Sequence, residues 1–327
     1  MSRLTPRHTD VGASSSRKRS ILEPGPKMHF AKREAVVVRA PAKINLFLEI
    51  LGKRPDGYHE IVTCMVAVDL FDIVALQPAK DEQIRLTCDD PALPTGPDNL
   101  VWRAAEALRR QTRVNRGVSV HLQKRIPSAA GLAGGSSDAA ATLWGLNLVW
   151  DLGLSPLALA EVAAEVGSDV PFFLLAHAAW CTGRGEQVAP FAIRKPLNFV
   201  VACPARGLTT AEVYKGVTVP EAPRSADAMR AALQEGSIAA IGAGMHNRLQ
   251  PIAERLCPEI AALRQVMEKA APPGHVMSGS GSSYVALCRS RAEARALARQ
   301  VPRLYGSPET GPVGDRGLKL FVVRSCK

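Results

Sequence analysis

The hydrophobic pattern in the first half of the chain is mostly that of β-strands. Apolar residues dominate two runs on either side of Ala40-Pro41-Ala42-Lys43, and a turn at 53–57 leads into a third run. Short runs of branched and aromatic side chains between turn residues are typical of strands. The predicted strands are 35–39, 44–50, 61–70, 72–76, 83–88 and 117–122. Residues 99–110 instead fit a helix, with Asp98 as its N-cap.

The second half of the chain mixes strand-like and helix-like segments. Ser155-Pro156 begins a predicted helix that ends at Gly167, because Ser is a good N-cap and Pro suits the first helical position. Other helices are predicted from the glycine-rich loop at 127–138 to about 150, and at 172–176, 211–214, 226–234, 247–255, 258–269 and 291–300. Other strands are predicted at 179–182, 187–193, 197–202, 284–288 and 318–323. This mixture without regular alternation favours an α+β fold.

Composition indicates a globular protein with a basic N-terminal tail. Of 327 residues, 46% are apolar and 22% charged, and no apolar run is long enough for a membrane-spanning helix. Residues 1–32 are rich in Ser, Arg, Pro and Gly, which predicts a disordered tail; it is either a targeting segment or a stretch before a true start at Met28. Much of the net charge of +11 lies there, so charge alone does not indicate nucleic-acid binding.

The cysteines and the segment boundaries complete the general picture. Seven widely spaced cysteines include no CxxC pair and no Cys/His cluster, which predicts reduced thiols in the cytoplasm and no zinc site. The tail lacks the apolar core of a secretory signal. Because a new strand begins near Leu197, we divide the chain into domains at 33–195 and 196–327.

One glycine-rich loop dominates the chemistry that the sequence predicts. It lies between a predicted strand and a predicted helix and reads Pro127-Ser128-Ala129-Ala130-Gly131-Leu132-Ala133-Gly134-Gly135-Ser136-Ser137. Small residues leave the backbone N–H groups open to a ligand, and a helix N-terminus adds unpaired donors and a positive dipole. These features favour a phosphate site. The alternative is a plain turn in which Ser136 or Ser137 is the helix N-cap.

The spacing of this loop excludes two common nucleotide-binding motifs. No Lys-Ser/Thr pair follows its last glycine, so it is not a Walker A loop. It also lacks the G-x-G-x-x-G spacing of dinucleotide-binding folds, and no acidic residue follows at the distance of a ribose ligand. The kind of phosphate loop must therefore be decided by the rest of the chain.

Five other residues are candidates for chemistry, each with a simpler alternative. Lys43 is either a solvated charge at a strand start or a cation that stabilises a transferring phosphoryl group. Asp169 is either the N-cap of a short helix or a catalytic carboxylate. Tyr58 and His59, after a Pro-Asp-Gly turn, are either a half-buried pair or groups that stack on a base and bind its edge. Tyr214 has the same two interpretations.

Several of these motifs together resemble the GHMP kinases. The resemblance runs from about Ala35 to Val323 and is carried by Pro41-Ala42-Lys43-Ile44-Asn45-Leu46-Phe47-Leu48, Arg54-Pro55-Asp56-Gly57-Tyr58-His59, the glycine-rich loop, and Gly167-Ser168-Asp169-Val170-Pro171-Phe172-Phe173. The first two motifs, in this order, are similar to the branch that phosphorylates a cytidine-diphosphate-linked methylerythritol. Ser128-Ala129-Ala130 and Ala133 stand where many relatives have more glycine.

The resemblance implies a fold and an activity. The expected fold has two domains, an N-terminal mixed sheet with helices on one side and a ferredoxin-like C-terminal domain, with ATP and substrate in the cleft between them. The expected reaction is ATP-dependent phosphorylation of the 2-hydroxyl of 4-diphosphocytidyl-2-C-methyl-D-erythritol, in the non-mevalonate route to isoprenoid precursors. A monomer or homodimer would bind these small molecules, with neither nucleic acid nor membrane as a partner.

The resemblance also implies roles for individual residues. Residues 127–137 would bind the ATP phosphates, with Ser137 beside them and Mg²⁺. Asp169 would act as general base, and Lys43 would keep it ionised and support the attacking hydroxyl. The residues implied for the acceptor are Asn45, Tyr58, His59, Thr210 and Tyr214. Gly279 to Ser283 would form a second glycine-rich wall. No acidic residue is assigned to Mg²⁺, which phosphates and water would hold.

Two other functions remain open from the sequence. Another GHMP kinase, acting on homoserine or mevalonate, would share the loop but would not need the Tyr58-His59 pair. A nucleic-acid-binding protein would interleave aromatic residues with Lys and Arg. Aromatic residues make up only 5% of the chain, which disfavours that second alternative.

Overall fold

The computed structural model of the chain describes residues 29–31, 35–305 and 317–327, which form two sheets with helices packed on them. The expected tail, 1–32, lies outside the described residues except at 29–31. There the expectation of disorder is wrong, because His29–Ala31 forms strand β1, whose backbone pairs with residues 35–37 at an otherwise open edge. Within the described residues, no helix has the length and apolar character needed to cross a membrane.

The first sheet is built around two long antiparallel strands. Its strands are β1, β2 (Ala35–Lys53), β3 (His59–Pro78), β4 (Ile84–Cys88), β5 (Val118–Gln123), β6 (Ala178–Thr182), β7 (Gln187–Pro190) and the two-residue β9 (His246–Asn247). Their main order is β1-β2-β3-β5-β4, with β6 on β3, β7 on β6 and β9 on β2. The sequence predicts breaks in β2 and β3, but both strands continue through these positions. Irregularities in their pairing, such as the shift in register between Pro41 and Ala42 of β2, take the place of the breaks.

Four helices cover one face of the first sheet. They are α1 (Leu100–Thr112), α2 (Gly134–Val149), α3 (Pro156–Val166) and α4 (Val170–Leu175). Val38, Ala40 and Val74 of the sheet share a buried core with side chains such as Leu143 and Phe172 from these helices. The start of α3 confirms the predicted cap, since the Ser155 hydroxyl accepts a hydrogen bond from the Ala158 N–H.

One predicted helix cap is wrong, and the alternative interpretation of the glycine-rich loop, with a serine as helix cap, is excluded as well. The N-cap of α1 is Asn99 rather than Asp98; its side chain accepts a hydrogen bond from the Val101 N–H, while its amide donates to the Pro94 carbonyl. An amide can satisfy both partners, whereas a carboxylate cannot donate. The cap of α2 is Ala133, in a left-handed conformation (φ 53°), and not Ser136 or Ser137. The helix therefore begins at Gly134 and includes the last two of the three glycines in the loop.

The second sheet has the ferredoxin-like arrangement that the resemblance implies. Its strands are β8 (Asn198–Cys203), β10 (Gly274–Met277), β11 (Tyr284–Cys288) and β12 (Lys319–Arg324), in the antiparallel order β10-β11-β8-β12. The helices are α5 (Thr210–Lys215), α6 (Asp227–Glu235), α7 (Ile238–Gly244), α8 (Gln250–Leu256), α9 (Pro258–Ala270) and α10 (Arg291–Tyr305). The sequence interpretation missed α7 and β10.

The two sheets share a core, which fixes how they lie against each other. Ala42, Ile44 and Leu46 of β2 pack in one buried cluster with Phe199 and Val285 of the second sheet. Because side chains alternate along a strand, Lys43 and Asn45 point to the opposite face of β2. The shared core thereby holds two polar side chains of the first sheet at the junction with the second.

Candidate active site

A large cavity of about 1120 Å³ lies where the glycine-rich loop, β2 and the second sheet meet. It is lined by all predicted site residues except two. The predicted residues that line it are Lys43, Asn45, Tyr58, His59, Pro127, Ser128, Ala129, Ala130, Gly131, Ala133, Gly134, Gly135, Ser136, Asp169, Thr210 and Tyr214. The exceptions are Leu132 and Ser137, whose side chains are buried away from the cavity.

The two glycine-rich loops pack against each other. Gly131 has φ +72°, and a Cβ placed there would lie 2.1 Å from the Ser278 carbonyl oxygen. The Ser278 hydroxyl donates to the Gly131 carbonyl (3.0 Å), and the Ser283 N–H donates to the Ala130 carbonyl (3.1 Å). This contact leaves space for glycine alone at position 131.

The first loop reaches the start of α2 through strained alanines. Ala129 and Ala133 have positive φ values of 52° and 53°, a conformation that costs a non-glycine residue about 1–2 kcal/mol. In return, the N-terminus of α2 opens toward the cavity with its first N–H groups and its positive dipole. Such a helix start is suited to binding an anion.

Lys43 and Asp169 meet at the cavity wall. The Lys43 ammonium is buried, donates to the Asn45 side-chain oxygen (2.6 Å) and the Gly131 carbonyl (3.1 Å), and lies 3.6 Å from Asp169 Oδ2. Lys43 is therefore not a solvated edge charge. Asp169 precedes α4, but its side chain makes no capping hydrogen bond and keeps about a third of its surface exposed. The simple capping role of its side chain is also excluded.

A short chain of hydrogen bonds orients this pair. The Asn45 amide donates to the Thr63 hydroxyl (2.8 Å), which in turn donates to the Phe47 carbonyl (2.7 Å). This fixes the Asn45 amide so that its oxygen faces Lys43. Asn45 thus contacts the Lys43 ammonium directly, and its backbone N–H donates a hydrogen bond to the Ser278 hydroxyl oxygen (3.2 Å).

Aromatic side chains line the other end of the cavity. Tyr58 is exposed, and the Arg184 guanidinium lies 4.8 Å from its ring centroid. The rings of His59 and Tyr214 lie 5.4 Å apart. Burial and the nearby charge of Lys53 lower the pKa of His59, so its imidazole is neutral near pH 7 and can both donate and accept.

Three buried charges beside the loop were missed by the sequence interpretation. The Lys124 ammonium contacts the carboxylates of Asp72 and Asp138, with 2.7 Å to the latter. Burial raises the pKa of Asp138, an effect that Lys124 only partly offsets. Asp138 Oδ1 and Ser137 Oγ are buried and have no hydrogen-bond partner among the residues that the structure describes. The available signal was a lysine three residues before the phosphate loop. Its pairing with Asp72 depends on tertiary structure.

Comparison with known proteins identifies the family. Residues 99–177 match the GHMP kinases N terminal domain, and residues 229–307 match the GHMP kinases C terminal domain. A 4-diphosphocytidyl-2-C-methyl-D-erythritol kinase of Symbiobacterium thermophilum is 45% identical over 81% of this chain and 95% of its own. The chain belongs to this family of GHMP kinases. A Shouchella clausii relative of the same name is 46% identical over 75% of this chain and 82% of its own.

Solved structures agree with this family assignment. A crystal structure of a 4-(cytidine 5'-diphospho)-2C-methyl-D-erythritol kinase matches with a TM-score of 0.72 and 32% identity, over 89% of this chain and 99% of its own. A homoserine kinase from Cytophaga hutchinsonii matches with a TM-score of 0.68 at 17% identity, over 92% of this chain and 97% of its own. The second likeness shows the shared GHMP kinase fold alone. The α+β fold expected from the sequence is thereby confirmed.

Proposed function

We propose that this GHMP kinase transfers the γ-phosphoryl group of ATP to the 2-hydroxyl of 4-diphosphocytidyl-2-C-methyl-D-erythritol. The observation that carries the proposal is one cavity with three parts. An anion-binding loop forms one wall, the Lys43–Asp169 pair lies in the wall beside it, and Tyr58, His59 and Tyr214 line the remaining end. The loop suits the phosphates of the donor, the Lys43–Asp169 pair suits the reacting hydroxyl, and the aromatic end suits the pyrimidine base.

Asp169 is suited to the role of general base. Its carboxylate is partly exposed to the cavity and free of capping bonds, so an oxygen is available to accept the proton of a bound hydroxyl. Lys43 contacts it from the buried side and can stabilise the negative charge that develops on the attacking oxygen. Positioning and charge stabilisation of this kind carry most of the catalysis in phosphoryl transfer.

ATP would bind with its phosphates at residues 127–137. Gly134, Gly135 and Ser136 are the first residues of α2. Their N–H groups have no partner within the helix and can donate to phosphate oxygens. Side-chain bulk is small along the loop, so backbone and phosphate can come close. The buried position of Ser137 means that its hydroxyl would not reach the phosphates without a change of conformation.

Mg²⁺ is the metal that we propose to accompany ATP. Among the described residues, no three His, Cys, Asp or Glu side chains form a cluster that could hold a metal ion. The cavity does contain a fitting ligand beside the phosphate loop, because Asp138 Oδ1 is a carboxylate oxygen that no other described residue engages in a hydrogen bond. Asp138 with the ATP phosphates would hold the ion, in keeping with the preference of Mg²⁺ for carboxylate, phosphate and water. The bound ion would neutralise part of the negative charge of the ATP phosphates.

The acceptor would bind with its cytosine at the aromatic end. Tyr58 offers an exposed ring for stacking, and neutral His59 can bind the polar edge of the base. Tyr214 contributes the second aromatic wall. Asn45 lies beside Lys43, and the Thr210 hydroxyl lies 3.1 Å from that of Ser280 in the second glycine-rich loop. Both residues line the cavity, where they would contact the acceptor.

Release of ADP with different alcohols tests the proposed function. Purified protein with ATP and Mg²⁺ should turn over the cytidyl acceptor, and should turn over homoserine and mevalonate far more slowly, because neither fills the aromatic end. Turnover of homoserine or mevalonate without turnover of the cytidyl acceptor would reject the proposal and favour the other GHMP kinase activities.

The cellular setting follows from the same proposal. We propose the cytoplasm as the compartment, since all seven cysteines are free thiols. We also keep 33–195 and 196–327 as the two domains; this division falls between β7 and β8. The enzyme would work on its two small-molecule substrates as a monomer or homodimer.

A further inference from the structure

Five basic side chains line the cavity, and two of them are already engaged. They are Lys43, Lys53, Lys124, Arg184 and Lys215. Lys43 contacts Asp169 and the Gly131 carbonyl, and Lys124 is held between two buried carboxylates. A dianionic acceptor needs a further cation, because a diphosphate is costly to remove from water without a partner.

Arg184 lies between the two ends of the acceptor site. It belongs to the turn between β6 and β7, and its guanidinium lies 4.8 Å from the Tyr58 ring centroid. The next residue, Gly185, adjoins the catalytic carboxylate, because a Cβ placed there would lie 3.6 Å from Asp169 Oδ1. Arg184 thus lies between Tyr58 at the aromatic end of the cavity and Asp169 at the reacting end.

The guanidinium of Arg184 retains its hydrogen-bonding capacity. Glu186 is the neighbouring carboxylate, but its Oε2 accepts a hydrogen bond from the Arg184 backbone N–H at 2.6 Å. The same oxygen lies 4.0 Å from Arg184 Nε, too far for a hydrogen bond. Within the described part of the chain, the guanidinium donates no hydrogen bond to another residue. The side chain is also partly exposed to the cavity.

We propose that Arg184 binds the diphosphate of the acceptor and thereby selects a cytidine diphosphate over a bare nucleoside. This inference rests on the proposed function and assigns a residue to it. In the acceptor the diphosphate joins the cytidine to the methylerythritol, so it must lie between the groups bound by Tyr58 and Asp169. A guanidinium there matches phosphate oxygens with two parallel donors.

Calorimetric binding of CDP and of cytidine tests this assignment on the full-length chain. In Arg184→Ala the affinity for CDP should fall roughly 10- to 100-fold, as expected for the loss of charged hydrogen bonds, while cytidine affinity stays unchanged. The KM for the cytidyl acceptor should rise by a similar factor, with the KM for ATP unchanged. Arg184→Lys should show an intermediate loss.

Arg54→Ala is the matched control. Arg54 is in the same region and carries the same charge, but its guanidinium pairs with Asp56 and Glu60 and does not line the cavity. It should bind CDP as the parent protein does. An equal loss in both variants would indicate general attraction and reject a specific contact.

Two further results would overturn the inference. Equal losses for CDP and cytidine in Arg184→Ala would mean that Arg184 acts only through Tyr58. Unchanged CDP binding and acceptor KM would remove Arg184 from the site while leaving the proposed function intact. Failure of the parent protein to phosphorylate the cytidyl acceptor would instead reject the proposed function itself, and the inference with it.

Discussion

Lys43 Nζ lies 3.6 Å from Asp169 Oδ2, and the two side chains differ sharply in exposure, at 4% and 32%. The ammonium is held from behind by Asn45 and the Gly131 carbonyl. The carboxylate meets it from the cavity side. This arrangement directs a fixed positive charge toward the carboxylate that we propose as general base, and it leaves that carboxylate accessible from the cavity.

Asp169→Asn should abolish turnover without unfolding the protein. The amide cannot accept the hydroxyl proton, so kcat should fall by about 10²–10⁴-fold. Thermal stability and ATP binding should persist, because the Asp169 side chain makes no capping hydrogen bond. Steady-state kinetics, thermal unfolding and ATP titration measure these quantities.

Ser155→Ala is a suitable control for that variant. The Ser155 hydroxyl does cap α3, so this change should cost about 1 kcal/mol of stability and leave kcat unchanged. If Asp169→Asn instead resembled Ser155→Ala, losing stability but retaining turnover, Asp169 would be a structural residue.

Lys43→Met should lower kcat, and its effect should not add to that of Asp169→Asn. Removing a charge placed to stabilise the transition state costs about 10²–10³-fold in kcat. Groups that act as a unit give a double variant little worse than the single ones. Kinetics of the two single variants and the double variant would show this. Multiplicative losses would mean that the two residues act independently.

The sequence predicted the members of the site better than their contacts. Lys43 and Asp169 stand in motifs whose residue types suggest chemistry, and the structure brings them together. The burial of Ser137 and the engagement of Lys124 by Asp72 could not be predicted, because both depend on packing between segments far apart in the chain. The sequence pattern also favoured Asp98 over Asn99 as the N-cap of α1. It could not show that the Asn99 amide donates a hydrogen bond to the Pro94 carbonyl as well.

Tyr58→Ala should weaken binding of the acceptor while leaving the chemical step intact. The exposed ring offers a stacking surface worth about 1–3 kcal/mol, so the acceptor KM should rise roughly 5- to 100-fold. The KM for ATP should not change. Tyr58→Phe should retain most of the affinity, because it keeps the ring. An unchanged acceptor KM in Tyr58→Ala would remove this residue from the base site.

Glu49→Gln should destabilise the protein in a pH-dependent manner. Glu49 is fully buried in β2 and accepts two hydrogen bonds from Arg248, both at 2.7 Å. Burial alone would raise its pKa, but these bonds and those from the Arg224 and Ile50 N–H groups lower the pKa to about 2. Removing one partner of a buried ion pair costs about 3–5 kcal/mol.

The sign of the pH effect follows from that lowered pKa. The unfolded carboxyl titrates near 4.5 and the folded one near 2, so the stabilisation by Glu49 is complete above pH 4.5 and is lost as pH falls toward 2. Urea unfolding at about pH 5 and at about pH 2–3 should therefore show a larger difference between Glu49→Gln and the parent at the higher pH, because the difference shrinks below about pH 4.5. A difference independent of pH would mean that the carboxylate charge is not what stabilises this site.

Gly131→Ala should disrupt the packing of the two glycine-rich loops. An alanine at φ +72° is strained, and its Cβ would lie 2.1 Å from a backbone oxygen of Ser278, so one loop must move.

Gly153→Ala separates backbone strain from steric crowding, because Gly153 also has positive φ (+65°) but a Cβ there would meet nothing within 4 Å. It should cost about 1–2 kcal/mol of stability and leave ATP affinity unchanged. Gly131→Ala should lose more stability and also ATP affinity, because displacement of the loop moves the carbonyl that holds Lys43 and the start of α2. Equal stability loss and normal ATP binding in both variants would mean that contact between the loops does not shape the phosphate site.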